Sequence, residues 1–79
     1  MPGHQQESRN IVVNGHRTSM RLESEFWEAL QDICARERMT VNQICTQVYR
    51  QRGNASLTAA IRVYVIAYFR ETVAQPPAS

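Results

Sequence analysis

The chain has 79 residues, a formal net charge of +2 and two cysteines, Cys34 and Cys45. This length allows one small domain, which buries only about 60% of its unfolded surface and usually needs disulfides, a metal or a partner chain. Both cysteines fall on apolar stripes of predicted helices, and no histidine or cysteine pair has metal-ligand spacing, so we expect no disulfide, metal or other cofactor. The sequence shows no signal peptide and no long apolar segment, which favours a cytoplasmic protein without a membrane partner.

The charge is unevenly distributed along the chain. Residues 1–22 carry +2, residues 23–37 carry −4 and residues 38–79 carry +4. An acidic segment between two basic ones indicates that one surface attracts anions while another does not. All nine basic residues are arginines. Arginine recognises phosphate and guanine edges well, although a GC-rich genome would produce the same usage.

We assign residues 9–71 to one folded domain, with flexible tails at residues 1–8 and 72–79. The first tail is polar and contains Pro2-Gly3, and the second contains Pro76-Pro77. Both compositions are typical of unstructured chain ends.

The segment that opens the domain is predicted to be extended, because β-branched residues alternate with polar ones. Asn14-Gly15 lies between two such runs, and this dipeptide is the strongest short-range signal for a hairpin. Two structures are consistent with the pattern. One is a tight hairpin in which residues 11–13 fold back on residues 16–19, and the other is a single long strand with a bulge or bend at Gly15.

The second half of this segment has two distinct faces. Thr18, Met20 and Leu22 are expected to face the helices, whereas Arg17, Ser19 and Arg21 are expected to face outward. A two-stranded ribbon fits the DNA major groove, where arginine can bind guanine O6 and N7 together and serine can donate or accept a hydrogen bond. We interpret the three outward residues as candidate base contacts, and the alternative is an ordinary solvated strand face.

The first helix is predicted to run from residue 23 or 24 to Arg38, with Ser24 or Glu23 at its start. Its apolar face repeats at helical spacing and consists of Phe26, Leu30, Ile33 and Cys34, with Trp27 and Ala29 beside them.

The second helix is predicted to start at Thr40 and to stop near Gly53. The sequence "TVNQ" is a capping box, in which a threonine and a glutamine three residues later satisfy each other's backbone N–H groups. The start of a helix also presents free N–H groups at its positive end, so Thr40, Val41 and Asn42 are candidate phosphate contacts. Plain helix capping is the alternative interpretation.

The third helix is predicted over about residues 54–71, capped by Asn54 or Ser56, and it is apolar on nearly every side. Two short amphipathic helices cannot cover such a helix completely, so the pattern predicts a homodimer with a shared core. The polar face is too thin and too poor in basic residues for a helix on a membrane surface. The predicted dimer core comprises Met20, Leu22, Leu30, Ile61, Tyr64 and Val65.

The order strand, helix, helix, with "RTSMRLE" before "FWEALQDI" and "MTVNQICTQV" after it, resembles the ribbon-helix-helix family, the Arc and MetJ superfamily of DNA-binding regulators. The likeness covers about residues 16–50. With "SLTAAIRVYVIAYFR" included, the chain is similar to a compact bacterial subgroup that carries a third helix. The resemblance implies a mainly α-helical fold, with a short β-ribbon or hairpin and three helices, in an intertwined dimer.

The resemblance also implies roles for individual residues. Arg17, Ser19 and Arg21 would read bases, and Thr40 to Asn42 would hold a phosphate. The chain departs from the family pattern where Arg38-Met39 replaces the usual glycine between the helices. A hairpin at Asn14-Gly15 would be a further departure, because the dimer sheet would then have four strands and would be too broad to enter the groove simply.

The sequence therefore predicts a homodimeric transcriptional regulator that binds double-stranded DNA. The alternative is a dimerisation or adaptor module that binds a protein partner, of which an antitoxin would be a special case. We do not expect an enzyme, because no nucleophile and base pair, phosphate-binding glycine loop or pair of carboxylates is recognisable.

Overall fold

The computed structural model describes residues 5–74 and contains a two-stranded antiparallel sheet followed by three helices. In chain order, the elements are β1 (Gln6–Val13), β2 (His16–Glu23), α1 (Ser24–Glu37), α2 (Val41–Gln51) and α3 (Leu57–Ala74). The predicted fold class is confirmed. Residues 6–8 of the predicted first tail lie in β1 and residues 72–74 of the second lie in α3, while residues 1–4 and 75–79 lie outside the described residues.

The N-terminal segment forms the hairpin and not the single bent strand. Asn14 and Gly15 have positive φ angles of 54° and 85°, as a two-residue type I′ turn requires. The register runs from Val13 opposite His16 at the turn to Gln6 opposite Glu23 at the open end. The chain therefore adopts the hairpin that the Asn14-Gly15 dipeptide favours.

One face of the hairpin packs on the helices and the other faces solvent. Ile11, Val13, Met20 and Leu22 are buried in the core, since directly opposite residues of an antiparallel pair project to the same face. Thr18 shares this face, as expected, but it is exposed. Thr18 lies closer to the turn than Met20 does, and there the buried residue of the pair is Ile11, which lies opposite Thr18.

Helix α1 starts at one of the two predicted residues, although Ser24 does not cap it. Ser24 is the first helical residue and not the N-cap, and Glu23 in the cap position makes no side-chain capping bond. The backbone N–H and the Oγ of Ser24 both donate to the carbonyl of Gln5, at 2.9 and 3.1 Å. The serine thus joins the helix start to the beginning of β1. The fully buried residues of α1 are Trp27, Leu30 and Ile33, and Phe26 and Cys34 are half-buried.

The connection between α1 and α2 turns sharply at Arg38. This residue adopts the left-handed conformation with φ 57°, which a glycine would adopt with less strain. The N–H of Met39 donates to the carbonyl of Cys34 at 3.0 Å and so closes the helix end. Arginine takes the backbone conformation that the missing glycine would have supplied.

Helix α2 begins with the predicted capping box. The Thr40 Oγ1 accepts from the N–H of Gln43 at 3.0 Å, and the Gln43 Oε1 accepts from the N–H of Thr40 at 2.8 Å. The helix buries Ile44, Cys45 and Val48. Both cysteines are free thiols, and burial raises the pKa of Cys45 to about 11.

Helix α3 starts after Ser56, whose Oγ accepts from the N–H of Ala59 at 3.1 Å. Ile61 and Val65 are buried within the single chain, whereas Val63 is 66% exposed and Ile66 is 49% exposed. The helix therefore packs one side against the core and leaves apolar side chains on the other. No helix in the described range is long and apolar enough to span a membrane.

Candidate nucleic-acid interface

The solvent-facing side of the hairpin carries the predicted base contacts. We call it the outer sheet face, and it consists of the exposed side chains of Ser8, Asn10, Val12, Arg17, Ser19 and Arg21. Each β2 residue of this face has a β1 residue directly opposite it. Arg17 is opposite Val12, Ser19 is opposite Asn10, and Arg21 is opposite Ser8. The three residues predicted to face outward do so, in one row along β2.

The two arginines of the outer sheet face have no protein partner within residues 5–74, and the two carboxylates of the hairpin bind other arginines. Glu7 accepts a 2.7 Å hydrogen bond from Arg9 on the opposite face. Glu23 accepts from the Nε and Nη2 of Arg62, both at 3.1 Å. Arg17 and Arg21 therefore keep their hydrogen-bond donors available for an anion or for base acceptors.

The pKa of the Glu23 carboxyl lies below its ordinary value of 4.5. The carboxylate accepts a hydrogen bond from its own backbone N–H, which is the main cause, and bonds from Arg62 add to the effect. This ion pair attaches the junction of β2 and α1 to α3, and sequence reasoning missed it. A pairing over 39 residues leaves no local signal in the sequence.

The two edges of the hairpin differ. The outer edge of β1 is tied to α2 near the turn, where the N–H of Val12 donates to the Asn42 Oδ1 and the N–H of Asn14 donates to the Thr46 Oγ1, both at 3.0 Å. Because Val12 directs its N–H away from β2, the alternation of an antiparallel pair also turns the backbone of the opposite residue, Arg17, away from β1.

The same alternation applies along the rest of β2. The backbone N–H and C=O groups of Arg17, Ser19 and Arg21 point to the edge that β1 does not cover. No hydrogen bond joins these groups to any other described residue. The predicted base contacts therefore lie along an open strand edge, which can pair with another strand.

The start of α2 retains free donors after capping. The capping box uses the N–H groups of Thr40 and Gln43, and the Ile44 N–H bonds to the Thr40 carbonyl at 3.1 Å. The N–H groups of Val41 and Asn42 have no hydrogen-bond acceptor in the described part of the chain. Of the predicted phosphate contacts, these two have available backbone donors, whereas Thr40 acts as the cap.

The structure brings the two predicted sites close together, but with β1 between them. Arg17 lies opposite Val12, and the Val12 N–H binds the Asn42 side chain. A single strand, about 4.8 Å wide, thus separates the β2 row from the start of α2. Sequence reasoning could not find the contact between Val12 and Asn42, because the two residues lie 30 positions apart.

β1 is held from below by Trp27. The indole Nε1 donates to the carbonyl of Glu7 at 2.9 Å, and the guanidinium of Arg9 lies 4.7 Å from the ring centroid. Trp27 is buried, so this contact also satisfies its only donor group. Together with the bonds from α2, it fixes β1 at both ends.

The predicted dimer-core residues already have neighbours within one chain. Met20, Leu22, Leu30, Ile61 and Val65 are buried in the single chain, and Tyr64 is half-buried. Their part in a dimer interface stays a prediction. Val63 and Ile66 are large apolar side chains of α3 that are exposed.

The site contains no arrangement typical of a metal centre. Among residues 5–74, no three histidine, cysteine, aspartate or glutamate side chains lie close enough to hold a metal ion. His16 lies exposed at the first position of β2.

Comparisons with known proteins agree with this architecture. A protein-family model described as "Ribbon-helix-helix domain" matches residues 6–69. A search of curated proteins found no significant match. The chain is similar to the solved structure of an uncharacterized protein from Bordetella pertussis Tohama I, with a TM-score of 0.76 and 32% sequence identity. The match covers 96% of this chain and 66% of the other, so the chain spans just under two-thirds of that protein's length.

Proposed function

This chain belongs to the ribbon-helix-helix family, and on that premise we propose that it forms a homodimer that binds double-stranded DNA and regulates transcription. The observation that carries the proposal is the pair of exposed arginines, Arg17 and Arg21, which have no partner among residues 5–74 and lie on an open strand edge. Members of this family are typically regulators of this kind, and the geometry of the outer sheet face supports the same role here.

The dimer forms through the open edge of β2. Two copies of this strand pair antiparallel about a two-fold axis and satisfy the free backbone groups of Arg17, Ser19 and Arg21. Pairing places both copies of the row side by side in the centre of a four-stranded sheet. The edge of β1 is a poorer candidate, because side chains of α2 already occupy part of it.

DNA recognition uses both predicted sites. Arg17 and Arg21 bind guanine O6 and N7 in the major groove, and Ser19 adds a hydrogen bond to a base edge. The free N–H groups at the start of α2 bind a phosphate, with Thr40 holding the helix start in place. The phosphate contacts set the register of the protein on the duplex, and the base contacts supply selectivity.

One observation favours a second function, an adaptor that binds a protein partner. Val63 and Ile66 expose apolar surface on α3, away from the outer sheet face. The two functions differ in their salt dependence. Affinity for random duplex DNA falls steeply with salt if phosphates are contacted, whereas an adaptor shows no duplex binding even at low salt.

Replacing Arg21 tests the proposed function directly. We expect Arg21→Ala to bind a duplex selected by the wild-type protein at least about tenfold more weakly, because each bidentate contact to guanine carries about 1–3 kcal/mol of discrimination. Fluorescence anisotropy on the selected duplex and on a random duplex of equal length measures the loss.

Arg70→Ala is the matched control, because Arg70 is an exposed arginine of α3 outside the hairpin. It removes the same charge and should keep the preference for the selected duplex. If Arg21→Ala retains the wild-type preference, the assigned role of Arg21 in base reading is wrong.

A further inference from the structure

β1 is fixed in the sheet and cannot leave it cheaply. Ile11 is 3% exposed and Val13 is 5% exposed, so removing the strand would return both side chains to water. It would also break the bonds from Val12 to Asn42 and from Trp27 to the Glu7 carbonyl. We therefore expect β1 to remain paired with β2 when the protein binds a ligand.

A dimer sheet that keeps both copies of β1 is wider than the major groove. With strands about 4.8 Å apart, the two outer strands of a four-stranded sheet lie about 14 Å apart. The groove itself is about 12 Å wide. The central β2 strands therefore face the bases, while each β1 lies above a groove wall, which is formed by the sugar-phosphate backbone.

We propose that Ser8 and Asn10 of β1 contact the DNA phosphates along the groove walls and so form an additional binding site. This assignment rests on the DNA-binding function proposed above. Both side chains are exposed on the outer sheet face, opposite Arg21 and Ser19 respectively. Serine hydroxyl and asparagine amide groups are ordinary donors to phosphate oxygens.

The state of these two side chains supports the assignment. Neither makes a hydrogen bond or ion pair to another residue in the range 5–74, so their donors are available. Val12, the third β1 residue of the outer sheet face, has no side-chain donor and lies where the start of α2 adjoins the strand. The proposed phosphate donors therefore lie on Ser8 and Asn10 and, beyond Val12, at the start of α2.

This arrangement gives the two strands of the outer sheet face different roles, with β1 on the phosphates and β2 on the bases. Because β1 rests on the walls, the sheet stays at the mouth of the groove. The long side chains of Arg17 and Arg21 can then cover the remaining distance to the bases.

The first test removes the two donors. We expect the double variant Ser8→Ala, Asn10→Ala to lose at least about tenfold in affinity, since a dimer loses four hydrogen bonds. The loss should be equal for the selected and the random duplex, because phosphate contacts carry no sequence information. Gln31→Ala, Asn54→Ala changes exposed polar side chains outside the hairpin and serves as the matched control.

The second test adds a charge at the same place. Asn10→Arg should bind more tightly at low salt and steepen the dependence of log K on log salt by about two units per dimer, one for each added phosphate contact. Gln31→Arg adds the same charge on the exposed side of α1 and should leave the slope at the wild-type value. Circular dichroism confirms that each variant is folded.

The outcomes separate this inference from the proposed function. The inference is overturned if the double alanine variant binds like its control and Asn10→Arg has the slope of Gln31→Arg, while Arg21→Ala still loses selectivity. If the wild-type protein binds no duplex at low salt, the proposed function itself fails and the assignment of Ser8 and Asn10 fails with it.

Discussion

Arg62 and Glu23 form the most specific charged contact in the described part of the molecule. The guanidinium donates two bonds to one carboxylate, and both side chains are only partly exposed. Two-point geometry of this kind restrains orientation better than a single contact. The pair lies where β2 passes directly into α1, two residues after Arg21, so it helps to hold the end of the outer row in position.

The lowered pKa of Glu23 predicts how stability depends on pH. A carboxyl with a depressed folded-state pKa contributes stability that is present above its unfolded pKa and is lost as pH falls through the folded value. We therefore expect part of the wild-type free energy of unfolding to disappear as pH falls below about 4.5. Urea titrations of the wild type and of Glu23→Gln, from about pH 6 to pH 3, measure the free energy of unfolding at each pH.

The glutamine variant should be less stable than the wild type at neutral pH, and the difference should shrink toward low pH. A constant difference at every pH would contradict the role of this ion pair. Arg62→Gln provides a second variant of the same contact. It should reproduce the effect of Glu23→Gln only in part, because the backbone N–H of Glu23 is the larger cause of its lowered pKa.

The turn between the helices α1 and α2 contains a strained backbone conformation. Arg38 has a φ of 57°, in the region where a side chain clashes with its own backbone. The hydrogen bond from Met39 to the Cys34 carbonyl depends on that conformation. The helix end is thus correctly shaped, but it carries a residue poorly suited to it.

Replacing Arg38 with glycine should stabilise the protein. We expect Arg38→Gly to raise the free energy of unfolding by about 1 kcal/mol, because the left-handed conformation costs a non-glycine residue roughly that amount. Urea denaturation followed by circular dichroism measures the change. Arg36→Gly is the control, because Arg36 lies in the last turn of α1. A glycine at this helical position should lower the free energy of unfolding. Equal or lower stability in Arg38→Gly would show that the arginine side chain contributes more than the strain costs.

Elements with local signals could be predicted from the sequence, whereas contacts between distant elements could not. Asn14-Gly15 and the Thr40 capping box act over two to three residues. The capping box formed as expected, and Asn14-Gly15 formed the hairpin, one of the two structures that the pattern allowed. The sequence left Ser24 and Glu23 as alternatives at the start of α1, because the acceptor of the Ser24 hydroxyl, the Gln5 carbonyl, lies 19 residues away.

The candidate site divides in the same way. Strand alternation was sufficient to place Arg17, Ser19 and Arg21 outward. It could not indicate that Asn42 would bind the backbone of β1, nor that Ser8 and Asn10 would lie beside the row, because both depend on the hairpin register and on how α2 packs against it.

At the scale of the whole molecule, the open edge of β2 decides the proposed assembly. Within the described range, the chain buries a core of apolar residues but leaves the backbone of alternate β2 residues without partners. A lone edge strand of this kind tends to pair with another. In the proposed dimer, pairing of the two β2 strands would supply these missing partners.

Proline at alternate positions of β2 tests this pairing. Ser19 directs its N–H to the open edge, so Ser19→Pro should leave the hairpin folded but block a second β2 strand. Thr18 directs its N–H to Ile11, so Thr18→Pro should disrupt the hairpin itself. Light scattering should give the mass of a monomer for Ser19→Pro, and circular dichroism should show that it is folded. Fluorescence anisotropy should show that this variant does not bind the duplex.

Two results would contradict the strand-paired dimer. One is a Ser19→Pro variant that keeps the size of the wild-type protein. The other is a wild-type protein that stays a folded monomer at micromolar concentration.

Trp27 gives the molecule a built-in optical reporter. It is the only tryptophan of the chain, and its indole is enclosed beneath β1, bonded to one backbone carbonyl and covered by one guanidinium. Any event that lifts this strand would expose the ring to water and shift its emission to longer wavelength. The fluorescence of the unlabelled protein can thus report whether β1 keeps its contact with Trp27 when a complex forms.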